Sequence, residues 1–172
     1  MTVPRRRAAR VLLLDPADRI LLLHGFDPLV PGRDWWFTPG GGVEPEEGLA
    51  EAALREVAEE TGITDVELGP LVARRSSAFS FDGRDFDQDE WYYLARTRTT
   101  ALDGSGQTEL ERRTVDQLRW WGPDELLATE ETVYPEALGP LLRHLLDSGT
   151  PDGPVRLSGP TPWSTMDERK HS

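Results

Sequence analysis

The stretch that decides the fold is GGVEPEEGLAEAALREVAEETGI, residues 41–63. Gly48 to Thr61 reads as a helix: Ala50, Ala53, Leu54 and Val57 recur at a spacing that gathers apolar side chains on one face. Gly62 follows where a left-handed residue closes a helix. Glu56, Glu59 and Glu60 stand at i, i+3 and i+4, so three carboxylates converge on one side of that helix. Like charges at this spacing destabilise a bare helix, and a bound cation would reverse the sign. Such spacing also occurs on the wet side of ordinary amphipathic helices. The weight comes from Pro39-Gly40-Gly41-Gly42 just upstream, where glycine permits sharp turns and brings backbone groups close to an ion or phosphate.

Working outward, Ala9–Leu14 and Ile20–Leu23 are apolar runs across Asp15-Pro16-Ala17-Asp18, a pattern that predicts a β-hairpin. Arg5, Arg6 and Arg7 precede it as a basic arm, expected to be a solvated terminus. Phe26 to Gly42 reads as a loop with a short strand near Trp35–Thr38. Downstream, Leu68–Phe81 and Arg84–Arg98 form a second hairpin around Asp82-Gly83. A polar loop at Asp103–Thr108, a strand at Leu118–Trp121 and helices at Pro123–Ala128 and Glu136–Leu146 complete the order. Strands with helices on either side predict an α/β protein, an α/β/α sandwich around a mixed sheet, as a single domain over residues 1–147. Residues 148–172, rich in Pro and Gly, are expected to be a mobile tail or an extended arm, with Trp163 as its anchor.

Composition narrows the function. At 172 residues with 37% hydrophobic content and six tryptophans, the chain suffices for one domain with a real core. No apolar run approaches the roughly 18–20 residues of a membrane span, and Val11–Leu14 is too short for a signal-peptide core, so a cytoplasmic protein without membrane contact is expected. The absence of cysteine excludes disulfides, thiolate metal sites and cysteine nucleophiles. His24, His144 and His171 lack zinc-ligand spacing. A net charge of −12 opposes stable nucleic-acid binding. A cation held between acidic protein and anionic substrate would resolve the conflict with a phosphate ligand.

Residues 41–63 also fit, at every position, the pattern Gly-x5-Glu-x7-Arg-Glu-U-x-Glu-Glu-x-Gly-U with U aliphatic. They therefore resemble the Nudix box of the MutT-like hydrolases, and Trp36-Phe-x-Pro-Gly-Gly41 and Leu118-Arg-Trp-Trp121 extend the likeness over roughly residues 8–146. The resemblance implies a Nudix fold in which Glu56, Glu59 and Glu60, helped by the Gly40 carbonyl, bind Mg2+, with Mn2+ as a substitute. Arg55 and Glu47 would pair to orient them. It further implies a pyrophosphatase in which metal-activated water attacks phosphorus in a small-molecule nucleoside diphosphate derivative, with homodimerisation left open.

Family members commonly supply a further glutamate beyond the box. The aligned position here is Thr114, and Glu111 is preferred as substitute over Glu109, Asp116 and Glu90. Trp35, Trp36 and Phe37, or Trp91 and Tyr93, are candidates for stacking a base, and Arg74, Arg75, Arg84 and Arg96 for gripping phosphate. No residue selects among noncanonical nucleoside triphosphates, nucleotide sugars and ADP-ribose. The rival function is a non-catalytic sensor of a nucleotide or nucleotide sugar. Isoprenoid diphosphate isomerisation, which uses a cysteine in this fold, is excluded by composition.

Overall fold

The computed structural model describes residues 5–81 and 83–157. Strand β1 (Arg5–Leu14) turns into β2 (Ile20–Phe26) through a loop tied by Asp15, whose Oδ1 accepts from Ala17 N and Arg19 N at 2.9 Å each. The predicted basic arm is thus strand from Arg5 onward, paired in parallel with β6 (Arg84–Arg96), because Asp87 and Asp89 on that neighbour neutralise Arg5. Strands β3 (Asp34–Phe37) and β4 (Gly40–Gly42) follow, then helix α1 (Leu49–Thr61), closed by Gly62 at φ 78°. The long hairpin of β5 (Glu67–Phe81) and β6 carries the register Arg75↔Glu90 and Ser77↔Gln88.

After β6 the polar loop gives way to a short helix, α2 (Glu109–Thr114), absent from the sequence reading. Its signal was present: Thr108 and Glu111 form a reciprocal capping box. Then come β7 (Val115–Trp121), α3 (Pro123–Ala128), β8 (Val133–Tyr134) and α4 (Leu138–Ser148). With β9 (Val155–Arg156), the sheet runs β8-β3-β2-β1-β6-β5-β9, with β4 added on β1 and β7 on β2; β1–β6, β3–β8 and β5–β9 are parallel and the other pairs antiparallel. One face packs Leu12, Leu14, Tyr92 and Trp121 against α3 and α4. The other packs Val11, Leu13 and Leu21 against α1. This is the expected α/β/α sandwich with a mixed sheet.

Two further details differ from expectation. The buried face of α1 is Ala52, Ala53 and Val57, whereas Leu54 is 40% exposed and Ala50 faces solvent. Ala53 and Val57 lie on the buried face as expected, while Ala52 takes the place of Ala50 and Leu54 at its edge. The segment read as a tail adds strand β9 (Val155–Arg156) to β5, and Leu157 follows it into the core with its N–H donating to Arg74 O at 2.8 Å. So short a strand leaves no periodicity to detect. Trp163 lies outside the described residues.

Candidate active site

β1 pairs with β4 over Ala8–Arg10 and with β2 only at Leu14, so the two strands diverge and open a cleft. Its volume is about 280 Å³, and α1 and α2 present carboxylates into it. Glu56 and Glu60 from α1 and Glu111 from α2 each offer an oxygen, and these oxygens lie within 4.8 Å of one another. That matches the scale of the ~4 Å separating opposed oxygen ligands around Mg2+.

Glu60 is 2% exposed, and its carboxyl holds protons well above the usual range, first because burial disfavours the anion and then because Glu111 and Glu56 repel it. The Gly40 N–H donates to Glu60 Oε1 at 2.8 Å. Burial also raises Glu56, against the pull of Arg55. A hard cation would relieve this concentration of buried negative charge, so the donor set fits a divalent metal.

The glycines serve the site by letting backbone and carboxylate pack in direct contact. A Cβ on Gly41 would stand 2.6 Å from the Glu56 carboxylate, so that acid packs directly on bare backbone. Gly40 adopts φ 144°, and a Cβ there would meet Ala9 O at 2.2 Å. The Gly40 carbonyl accepts from Arg10 Nη1 at 2.8 Å.

Arg55 is the hub of the box. It grips Glu47 through two bonds, Nε to Oε2 at 2.7 Å and Nη2 to Oε1 at 2.9 Å. The bonds from Arg55, with the Glu44 N–H, hold the Glu47 carboxyl down at about 2. Arg55 also donates to the Gly42 carbonyl at 3.0 Å, Glu56 at 2.9 Å and Glu59 at 3.3 Å. Glu59 therefore stands outside the three-acid group. On a helix, i+3 and i+4 fall on opposite sides of residue i, and Glu59 falls on the Arg55 side.

Of the other candidates, Thr114 lines the cleft but donates its hydroxyl to Leu110 O. Glu111, one turn earlier, projects on the same side of α2. Glu109 is exposed, Asp116 bonds His24, and Glu90 is buried between Arg10 and Arg75. Trp35 and Phe37 line the cleft, whereas Trp36 packs edge-on against Trp121 in the core. Arg74 lies over the Trp91 ring and Arg96 pairs with Asp18. Arg6, Arg10, Phe86 and Gln88, which no local sequence pattern marks, are also cleft residues, brought together by the β1–β6 pairing.

A NUDIX domain model matches residues 4–145. The chain belongs to the Nudix family. An RNA pyrophosphohydrolase of Erythrobacter litoralis is 34% identical over 134 residues, covering 70% of this chain and 78% of that protein. One from Cereibacter sphaeroides is 28% identical over 161 residues, covering 84% and 95%. Among solved structures, a MutT protein from Methanosarcina mazei superposes with a TM-score of 0.58 at 21% identity, covering 84% and 94%, and shares the fold. As an enzyme this Nudix protein is of the pyrophosphohydrolase class.

Proposed function

We propose that this Nudix enzyme hydrolyses a pyrophosphate bond in a nucleoside diphosphate-linked substrate, with Mg2+ held by Glu56 and Glu60. The observation that carries the reading is the convergence of Glu56, Glu60 and Glu111 at the floor of the cleft. Bound there, Mg2+ would withdraw charge from the phosphate oxygens and favour attack of water on phosphorus. Arg55 orients the carboxylates through Glu56, while Glu47 holds Arg55 in place. Glu111 spends Oε1 on the Thr108 N–H, which fixes its rotamer, and its second oxygen is placed to accept the proton of the attacking water. Arg6, stacked over Phe86 at 5.4 Å, brings positive charge to the cleft for the substrate phosphates. We take residues 1–147 as the catalytic unit, buttressed by the docked 155–157 segment.

The relatives named above also favour a second substrate form, the 5′ end of an RNA, which would offer the same cleft a terminal nucleotide and its phosphates. The test is product release from nucleoside triphosphates, nucleotide sugars, ADP-ribose, dinucleoside polyphosphates and a 5′-triphosphorylated RNA, with Mg2+ or EDTA. Wild type should turn over at least one substrate only with Mg2+, and Glu60→Gln should lose at least about 100-fold, roughly 2.7 kcal/mol of transition-state stabilisation. No turnover, together with a ligand-raised melting temperature, would replace this reading by the sensor function.

A further inference from the structure

Gln88 stands on β6 and lines the cleft, its residue 2% exposed, with its carboxamide uncommitted to a protein partner among the described residues. Its neighbours do not compensate. Ser77, across the β5–β6 register, gives its hydroxyl to Glu90 at 3.4 Å, and Arg6, across the β1–β6 register, stacks on Phe86. A carboxamide that lines a cleft with its donor and acceptor uncommitted to protein partners is available to pair with a ligand there. The surroundings suit a flat ring. Trp35 and Phe37 come from β3 and Phe86 from β6, strands that the sheet order separates by β2 and β1, so aromatic surface borders the cleft from both directions. A pocket with aromatic walls and one polar amide orients a planar heterocycle by its edge.

We propose that Gln88 is a specificity-determining residue whose carboxamide pairs with the edge of the substrate nucleobase, adenine in the first place. The side-by-side carbonyl and amino groups of glutamine match the amino group and adjacent ring nitrogen of adenine in a two-bond contact. The inference deepens the nucleotide reading above and rests on it for the kind of ligand, but base reading and hydrolysis fail separately.

The test is equilibrium binding of AMP, GMP, CMP, UMP and ribose 5-phosphate in EDTA, followed by tryptophan fluorescence, for wild type, Gln88→Met and Gln88→Glu. Wild type should bind AMP tightest. Gln88→Met, similar in size but without the amide, should weaken AMP about tenfold, flatten the ranking and leave ribose 5-phosphate unchanged. If that variant fails to fold, Gln88→Glu, which keeps the shape and loses the donor, should likewise abolish the preference for AMP. Equal binding of all four nucleotides by wild type, no binding at all, or an unaltered ranking in the variants would overturn the proposal. So would a loss shared equally by ribose 5-phosphate. Base ranking without Mg2+-dependent hydrolysis would sink the hydrolase reading alone.

Discussion

Two ionic clusters flank the cleft, and they are built on opposite principles. The Arg55 cluster joins Glu47, Glu56, Glu59 and the Gly42 carbonyl, all within 13 positions of Arg55, and its arginine is 24% exposed. The Glu90 cluster joins Arg10, 80 residues away, to Arg75 and Ser77, and Glu90 and Arg75 are almost wholly buried. The first can exchange its bonds for water when a partner is lost. The second cannot, because any partner left behind is a charge in a low-dielectric interior. Arg75 Nε is already buried without a hydrogen-bond partner, and burial, followed by Glu90, raises the Tyr92 phenol. The Arg55 cluster serves the carboxylates' orientation, whereas the Glu90 cluster sets the floor under them through the bond from Arg10 to Gly40 O.

The contrast predicts unequal costs. Glu90→Gln should have the largest effect, about 3–5 kcal/mol of stability, since it strands Arg10 and Arg75 in the interior. Urea unfolding measures it, and a loss under about 1 kcal/mol would erase the distinction between the clusters. Glu60→Gln should lower activity by the 100-fold stated above yet leave the metal-free protein as stable or more so. The substitution removes a carboxylate whose charge is opposed by burial and by Glu111 and Glu56. A large drop in melting temperature in EDTA would contradict this. Arg55→Ala should weaken metal affinity or activity about 10- to 100-fold with about 1 kcal/mol of stability lost. Titrating Mg2+ against melting temperature separates the two effects.

Sequence legibility divides along the same line. The box helix, its glycine closure and the roles expected for Arg55 and Glu47 depend on contacts a few positions apart, where helical periodicity and the motif carry the information. Placement of Arg10, Glu90, Arg6 and Gln88 depends on a parallel pairing, Arg5↔Asp87 through Leu14↔Arg96, between strands some 80 positions apart. A strand's own pattern gives its faces but not its partner, so Glu90 reads as a candidate base when it is a buried counterion. Glu111 lies between these cases. Its place in the cleft follows from α2, whose capping box is written in Thr108 and Glu111. Glu59 shows a finer limit: spacing brings three carboxylates to one side of a helix, and the helical step then sets Glu59 towards Arg55 and Glu60 towards the cleft.

The two clusters differ in both burial and sequence distance, and His24 separates these variables. Its Nδ1 meets Asp116 Oδ1 at 2.6 Å and its Nε2 meets Asp34 Oδ2 at 2.8 Å, so it is assembled across β7 and β3 like the Glu90 cluster. Both carboxylates, however, are 55% exposed, like the partners of a surface pair. Burial beside Trp36 works against the imidazolium, but the bonds to Asp116 and Asp34 outweigh it and raise the folded-state value above the ordinary 6.5. A raised value means the charged form is favoured on folding. Its stabilisation is therefore fully present below about pH 6.5 and is lost as pH rises through the folded value. His24→Gln should cost below about 1 kcal/mol at pH 5.5, and less still by pH 8.5, in urea unfolding at both values. A cost near that of Glu90→Gln would show that distance along the chain, rather than burial, makes such clusters indispensable.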